Sequence, residues 1–145
     1  MYWRRGGWEM REILFRGKDC DTKKWHEGYY LFKTVDFVLR YCICERCAGY
    51  NYEYHVWPST VGQFTGITDK KGKKVFEGDI IKHNSTNFVV EFSANHLGFI
   101  CIDRKHKTRG GFANWRDGNW MRNVSSHLQI IGNIHDNPEL LEAKS

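Results

Sequence analysis

Apolar positions along this chain fall into short stretches rich in Ile, Val, Phe and Tyr, separated every 8–15 residues by clusters of Gly, Asn, Asp and Lys. Short apolar, β-branched and aromatic stretches bounded by turn formers read as many short strands. The pattern predicts strands at Ile13–Phe15, Gly28–Lys33, Asp36–Cys44, Tyr52–Trp57, Ile80–His83, Asn87–Phe92, Phe99–Ile102 and Gln129–Gly132. Asp69-Lys-Lys-Gly-Lys-Lys reads as a hairpin turn, since Gly72 can take the positive φ it needs, and Asn84-Ser-Thr-Asn87 joins strands in the same way. One helix is expected, about two turns long and C-terminal, with Asn137 as its cap, Pro138 at its first position and Glu139 at the positive end of its dipole.

At 145 residues, 41% hydrophobic and 15% aromatic, the chain can bury one core of ordinary size. No apolar run approaches the roughly 18 residues of a membrane span, so no membrane role is expected. The opening residues have no apolar leader, which points to the cytoplasm. Residues 1–9 stand outside the β pattern and are expected to be a non-native or disordered extension, with Met10 as the native start. Residues 10–60 form an N-terminal β region and 61–145 a β core, with a boundary near Pro58–Thr60, or the two make one compact domain over 10–145. The five cysteines are odd in number, and three crowd between positions 42 and 47, which is not a disulfide framework.

The order Val61-Gly-Gln-Phe-Thr-Gly-Ile-Thr-Asp-Lys-Lys-Gly-Lys-Lys-Val-Phe-Glu-Gly-Asp-Ile-Ile-Lys, then Val89-Val-Glu-Phe, then Ile130-Ile-Gly-Asn-Ile-His-Asp-Asn-Pro-Glu-Leu-Leu resembles the YopX family of phage and prophage proteins, and Met10-Arg-Glu-Ile-Leu-Phe-Arg-Gly resembles its opening. The resemblance implies a mainly β protein with a barrel-like core, carried by bacteriophages or prophages in a bacterial host, with no catalytic residues to transfer. The expected fold is therefore mainly β, a small partly open barrel or sandwich with SH3-like core strands, an N-terminal β region and a short C-terminal helix. Stretches 41–57 and 103–124 lie outside the shared motifs and are where features particular to this member belong. Within the shared motif, the glycines of Thr65-Gly66, Gly72 and Gly78-Asp79 supply turn conformations and Asp79 can bond its own backbone, shaping two tight reversals that flank a short strand pair. Glu77 and Asp79 have the residue types of an acid and base pair, but carboxylates in successive turns are far more often solvated turn residues.

Cys42, Cys44 and Cys47 offer thiols at the reach of a zinc knuckle, with no fourth ligand nearby in sequence and His55 or Cys20 able to supply one. A strong zinc signature has two separated pairs, and this has one. Small buried or half-exposed thiols are the preferred reading, with no metal and no cofactor expected. No HExxH, GxSxG, phosphate-binding loop or dinucleotide fingerprint occurs, so no catalytic residue is assigned and an enzyme is not expected.

The formal charge of +5 is concentrated in 103–124, which holds six Lys or Arg against two Asp. Arg104, Lys105, Lys107, Arg109 and Arg116 interleaved with Trp115 and Trp120 would suit single-stranded nucleic acid, cations following phosphates and rings stacking on bases. A solvated hairpin whose tryptophans fold onto the core accounts for the same residues. Lys70, Lys71 and Lys73 would extend that basic face. Tyr50, Tyr52 and Tyr54 at period two line one face of a strand near Trp57, which fits a core face or a protein contact, including self-association. The function expected is binding without catalysis: a host or phage protein as partner, as in blocking a host protein or defence system, or else nucleic acid in phage replication or regulation.

Overall fold

The computed structural model describes residues 12–83, 85–104 and 127–142 with their side chains, and 108–109 as backbone. Eleven strands are present among these: β1 (Phe15–Lys18), β2 (Trp25–Val35), β3 (Val38–Cys47), β4 (Tyr50–His55), β5 (Gly62–Thr68), β6 (Lys74–Phe76), β7 (Asp79–His83), β8 (Thr86–Ser93), β9 (Gly98–Asp103), β10 (Thr108–Arg109) and β11 (Gln129–Asn133). They form two antiparallel sheets, ordered β4-β3-β2-β1-β5-β6 and β10-β9-β8-β7-β11. Neither sheet closes on itself, so the fold is mainly β and sandwich-like.

The main core lies where β6 meets the second sheet. Val75, Ile81, Phe88, Val90, Cys101 and Leu128 are buried together, with Ile67 and Ile130 packed against them. Full burial of a side chain of this size contributes about 1.5–3 kcal/mol relative to leaving it in water. A second apolar knot sits at the root of the first sheet, where Ile43 and Val56 are fully buried. Beyond that root, β2, β3 and β4 run on as a three-stranded extension.

Several elements differ from the sequence pattern for local reasons. The run Asp36–Cys44 is not one strand, because Asp36 and Phe37 take left-handed φ values of 50° and 64° and form the β2–β3 turn. That mirror-image turn matches the twist of the flanking strands, and β3 begins only at Val38. Gly66, at φ 93°, is not a reversal but sits inside β5, where the pairing with β6 shifts register between Phe64 and Thr68. Gly72 (φ 80°) and Gly78 (φ 83°) do make the turns expected of them. The C-terminal helix is a single 3-10 turn, Pro138–Leu141, rather than two α turns. Asn137 makes no cap bond there, since its Oδ1 accepts instead from the Asn133 backbone N–H at 3.3 Å. A segment this short cannot offset the cost of helix nucleation by itself.

Candidate functional site

Strand register decides which side chains share a face on the β2–β3–β4 extension. Ile43 stands opposite Tyr30 on β2 and Tyr54 on β4, while Phe32 faces Tyr41 and Thr34 faces Leu39. Because successive side chains alternate, one face carries Tyr30, Phe32, Leu39, Tyr41, Tyr50, Tyr52 and Tyr54. Ring contacts bind it together: Tyr30 lies 5.7 Å from Phe15 and 6.3 Å from Tyr41, centroid to centroid, and Phe32 lies 6.5 Å from Tyr41. Towards the root the face is covered, and Tyr54 stacks on His26 at 3.5 Å with the rings nearly parallel. Away from it the face is open, leaving Phe32 67%, Tyr50 69% and Tyr52 50% exposed. The period-two reading of the three tyrosines thus describes their shared face, but Tyr54 is engaged in a stack while Tyr50 and Tyr52 are not buried. Trp57 lies off this strand, with the Lys23 ammonium over its ring at 5.4 Å.

The opposite face is mixed at the same level, with polar groups beside an exposed Tyr29. Cys42 stands across from His55 and Cys44 from Glu53, and Lys33 is ion-paired with Glu53. Cys47 pairs with Tyr50 and so points to the aromatic side, away from Cys42 and Cys44. On a strand, positions three apart face opposite ways, which undoes the zinc-knuckle spacing. Among the described residues no group of three or more His, Cys, Asp or Glu is placed to hold a metal. Burial pushes the Cys42 thiol up, the reverse of what a reactive thiolate needs.

The basic candidates are only partly described. Lys105, Lys107, Trp115, Arg116 and Trp120 lie outside the described residues, and Arg109 is placed by its backbone in β10. Arg104 is exposed and ion-paired with Glu91. Lys70, Lys71 and Lys73 are exposed around the β5–β6 turn, and the Lys70 N–H donates to Leu128 O at 3.0 Å. That bond sets the lysine turn beside the chain just after the basic segment. The turn itself is organised by Asp69, whose Oδ1 accepts from the Lys71 and Lys73 backbone N–H groups, each at 2.9 Å, and whose Oδ2 accepts from Ile130 N–H at 3.2 Å.

The shared-motif carboxylates are structural in their contacts. Glu77 Oε2 accepts from the Gln63 backbone N–H at 3.1 Å. Asp79 is not a solvated turn residue: its side chain is 1% exposed, with Oδ1 2.7 Å from Arg16 Nη2 and Oδ2 accepting from Phe76 N–H at 2.8 Å. The Arg16 guanidinium lies over the Trp25 and Phe76 rings at 4.8 and 4.9 Å, making a buried cluster that joins the two sheets. Nothing in the local pattern around Arg16 announces this role.

A family model described as YopX protein matches residues 14–142. The chain belongs to the YopX family. The matched span runs through the tyrosine strand and the basic segment as well as the motif around Gly72. No curated protein matches this sequence. Among solved structures, protein EF1440 from Enterococcus faecalis is similar with a TM-score of 0.54 at 22% identity, over 92% of this YopX chain and 100% of that one. At that identity the likeness concerns the fold alone. No helix among the described residues of this YopX protein is long and apolar enough to cross a membrane.

Proposed function

We propose that this YopX protein is a phage- or prophage-borne binding protein without catalytic activity, and that it engages another protein through the open aromatic face of β2, β3 and β4. The observation that carries the reading is the clustering of exposed apolar side chains. Of the eleven large hydrophobic residues most exposed among those described, four (Phe32, Leu39, Tyr50 and Tyr52) lie on this face, and three more (Tyr29, Phe37 and Val38) lie on the other face or at the turn of the same extension. Contiguous apolar exposure marks contact sites, and tyrosine and phenylalanine are favoured in interface cores.

The test uses the immobilised full-length protein beside the F32S/L39S variant. A bacterial host protein recovered by the wild type, then purified and mixed back, should bind with fixed stoichiometry in calorimetry and fail to bind the variant. Binding that is equal for both proteins rejects the aromatic face as the contact.

A second reading rests on the lysine turn. Lys70, Lys71 and Lys73 are exposed and Lys70 is bonded to Leu128, a few residues after the basic segment in sequence; together with that segment's charge they would present cations to a nucleic-acid backbone. Fluorescence anisotropy with labelled single-stranded DNA, duplex DNA and RNA tests it. Affinity should fall steeply with salt and be lost when Arg104, Lys105, Lys107 and Arg109 are neutralised; no binding at low salt removes it.

A further inference from the structure

We infer that β4 is a self-pairing edge, through which two copies of this chain join antiparallel into one continuous sheet, with Tyr52 meeting its own counterpart at the twofold axis.

Sheet edges expose unpaired N–H and C=O groups, and proteins normally blunt them with short strands, lysine, proline or bulges. The other described edges of this fold are blunted in those ways. The β6 strand is three residues long and begins at Lys74, with a register shift against β5. Strand β10 is two residues long, and β11 is bulged between Ile130 and Gly132. By contrast β4, Tyr-Asn-Tyr-Glu-Tyr-His, has neither lysine nor proline, and its register with β3 is unbroken over all six residues. Among the described residues no strand pairs its outer side.

Backbone hydrogen bonds fix which groups point outward. Val56 N–H donates to Tyr41 O on β3, so counting back by two turns the backbone groups of Tyr54, Tyr52 and Tyr50 towards β3. Those of Asn51, Glu53 and His55 therefore face away. His55 O is taken by Cys20 N–H at 2.9 Å, which leaves Asn51 and Glu53 as the open docking pair.

Only certain symmetric registers use both residues. With Tyr52 at the axis, each Asn51 exchanges backbone bonds with the partner's Glu53, and no like charges stand opposed. Centring on Glu53 would set two carboxylates face to face, which is unfavourable, and centring on Asn51 leaves Glu53 without its bonds. In the favoured register Tyr50 stands across from the partner's Tyr54, so the aromatic faces run on as one ladder. An unrelated peptide would need to supply this charge and ring pattern; a second copy has it by symmetry.

The inference depends on the backbone edge and not on Phe32 or Leu39, so it stands or falls apart from the reading above. Sedimentation of full-length protein over a concentration series at near-physiological salt tests it. The wild type should move from one to two times the 17.2 kDa chain mass as concentration rises. The N51P variant, which loses an outward N–H that the protomer does not use, and the Y52K variant, which sets two ammonium groups at the axis, should both stay at one chain mass. Glu45 lies directly across from position 52, so a lysine there is tolerated by the protomer. Amide exchange at Asn51 and Glu53 should slow as the wild type associates. A wild type that stays monomeric throughout overturns the inference, as does a dimer that survives both substitutions; F32S/L39S should leave the dimer intact.

Discussion

Arg16 and Asp79, on strands of different sheets, form an ion pair with Nη2 and Oδ1 2.7 Å apart and side chains 9% and 1% exposed. Asp79 also receives the Phe76 backbone N–H, so this carboxylate fixes the β6–β7 turn while holding the first sheet to the second. Burial pushes the Asp79 carboxyl above its ordinary range, against the pull of Arg16. The folded state therefore holds that proton more tightly than the unfolded chain, and this group by itself favours the fold less as pH rises past the ordinary carboxyl range.

Replacing Asp79 by alanine leaves a buried guanidinium unpaired and a buried N–H unsatisfied. A loss of about 3–5 kcal/mol in urea unfolding is expected. D79N should lose less, because its side-chain oxygen can still accept from Phe76. Equal losses for the two variants would show that the turn bond contributes little.

Asp69 ties the β5–β6 turn to β11 through three backbone N–H groups. Hydrogen bonds to a charged acceptor are worth about 1.5–3 kcal/mol, and the three share one carboxylate, so D69A should destabilise by about 2–3 kcal/mol. Hydrogen exchange at Ile130 should quicken in D69A. Unchanged protection there would mean that β11 is held by its ladder with β7 alone.

Asp136 links the C-terminal segment to β1 and β2. Its carboxylate meets Lys18 and accepts from Trp25 Nε1 at 2.7 Å, and with the Lys18 bond as the largest cause its pKa falls from 3.8 to about 2. A depressed carboxyl pKa gives stability that is complete above pH 3.8 and lost as pH falls towards 2. With the side chain one-third exposed and screened by solvent, the amount is no more than about 1 kcal/mol. Unfolding free energy of D136N followed from pH 5 to 2 should have a shallower acid slope than the wild type; parallel slopes would remove the Lys18 bond as a source of acid sensitivity.

Gly28 sits where β2 crosses close to β3. A Cβ at this position would lie 2.2 Å from the Cys44 carbonyl oxygen, which belongs to the backbone and cannot swing aside. G28A should cost more than about 3 kcal/mol or prevent folding, read by thermal melting and near-ultraviolet dichroism. A near-native melt would mean that β2 and β3 separate readily at this point.

Apolar runs and turn chemistry determine a good deal here. The short apolar runs in Asn87–Phe92 and Phe99–Ile102 mark β8 and β9, Gly72 marks its turn, and the spacing of Tyr50, Tyr52 and Tyr54 puts them on one face. These are relations between residues two to four apart, which the backbone geometry of a strand dictates by itself. The family was legible for the same reason, through ordered turns and strands along most of the chain. Pairings between distant strands carry no such local trace. That Arg16 reaches Asp79, that Tyr54 is covered by His26 while Tyr52 stays open, and that β4 ends its sheet were decided by register and sheet order. Those depend on which whole strands bury their apolar faces together, a choice settled only when the chain has packed.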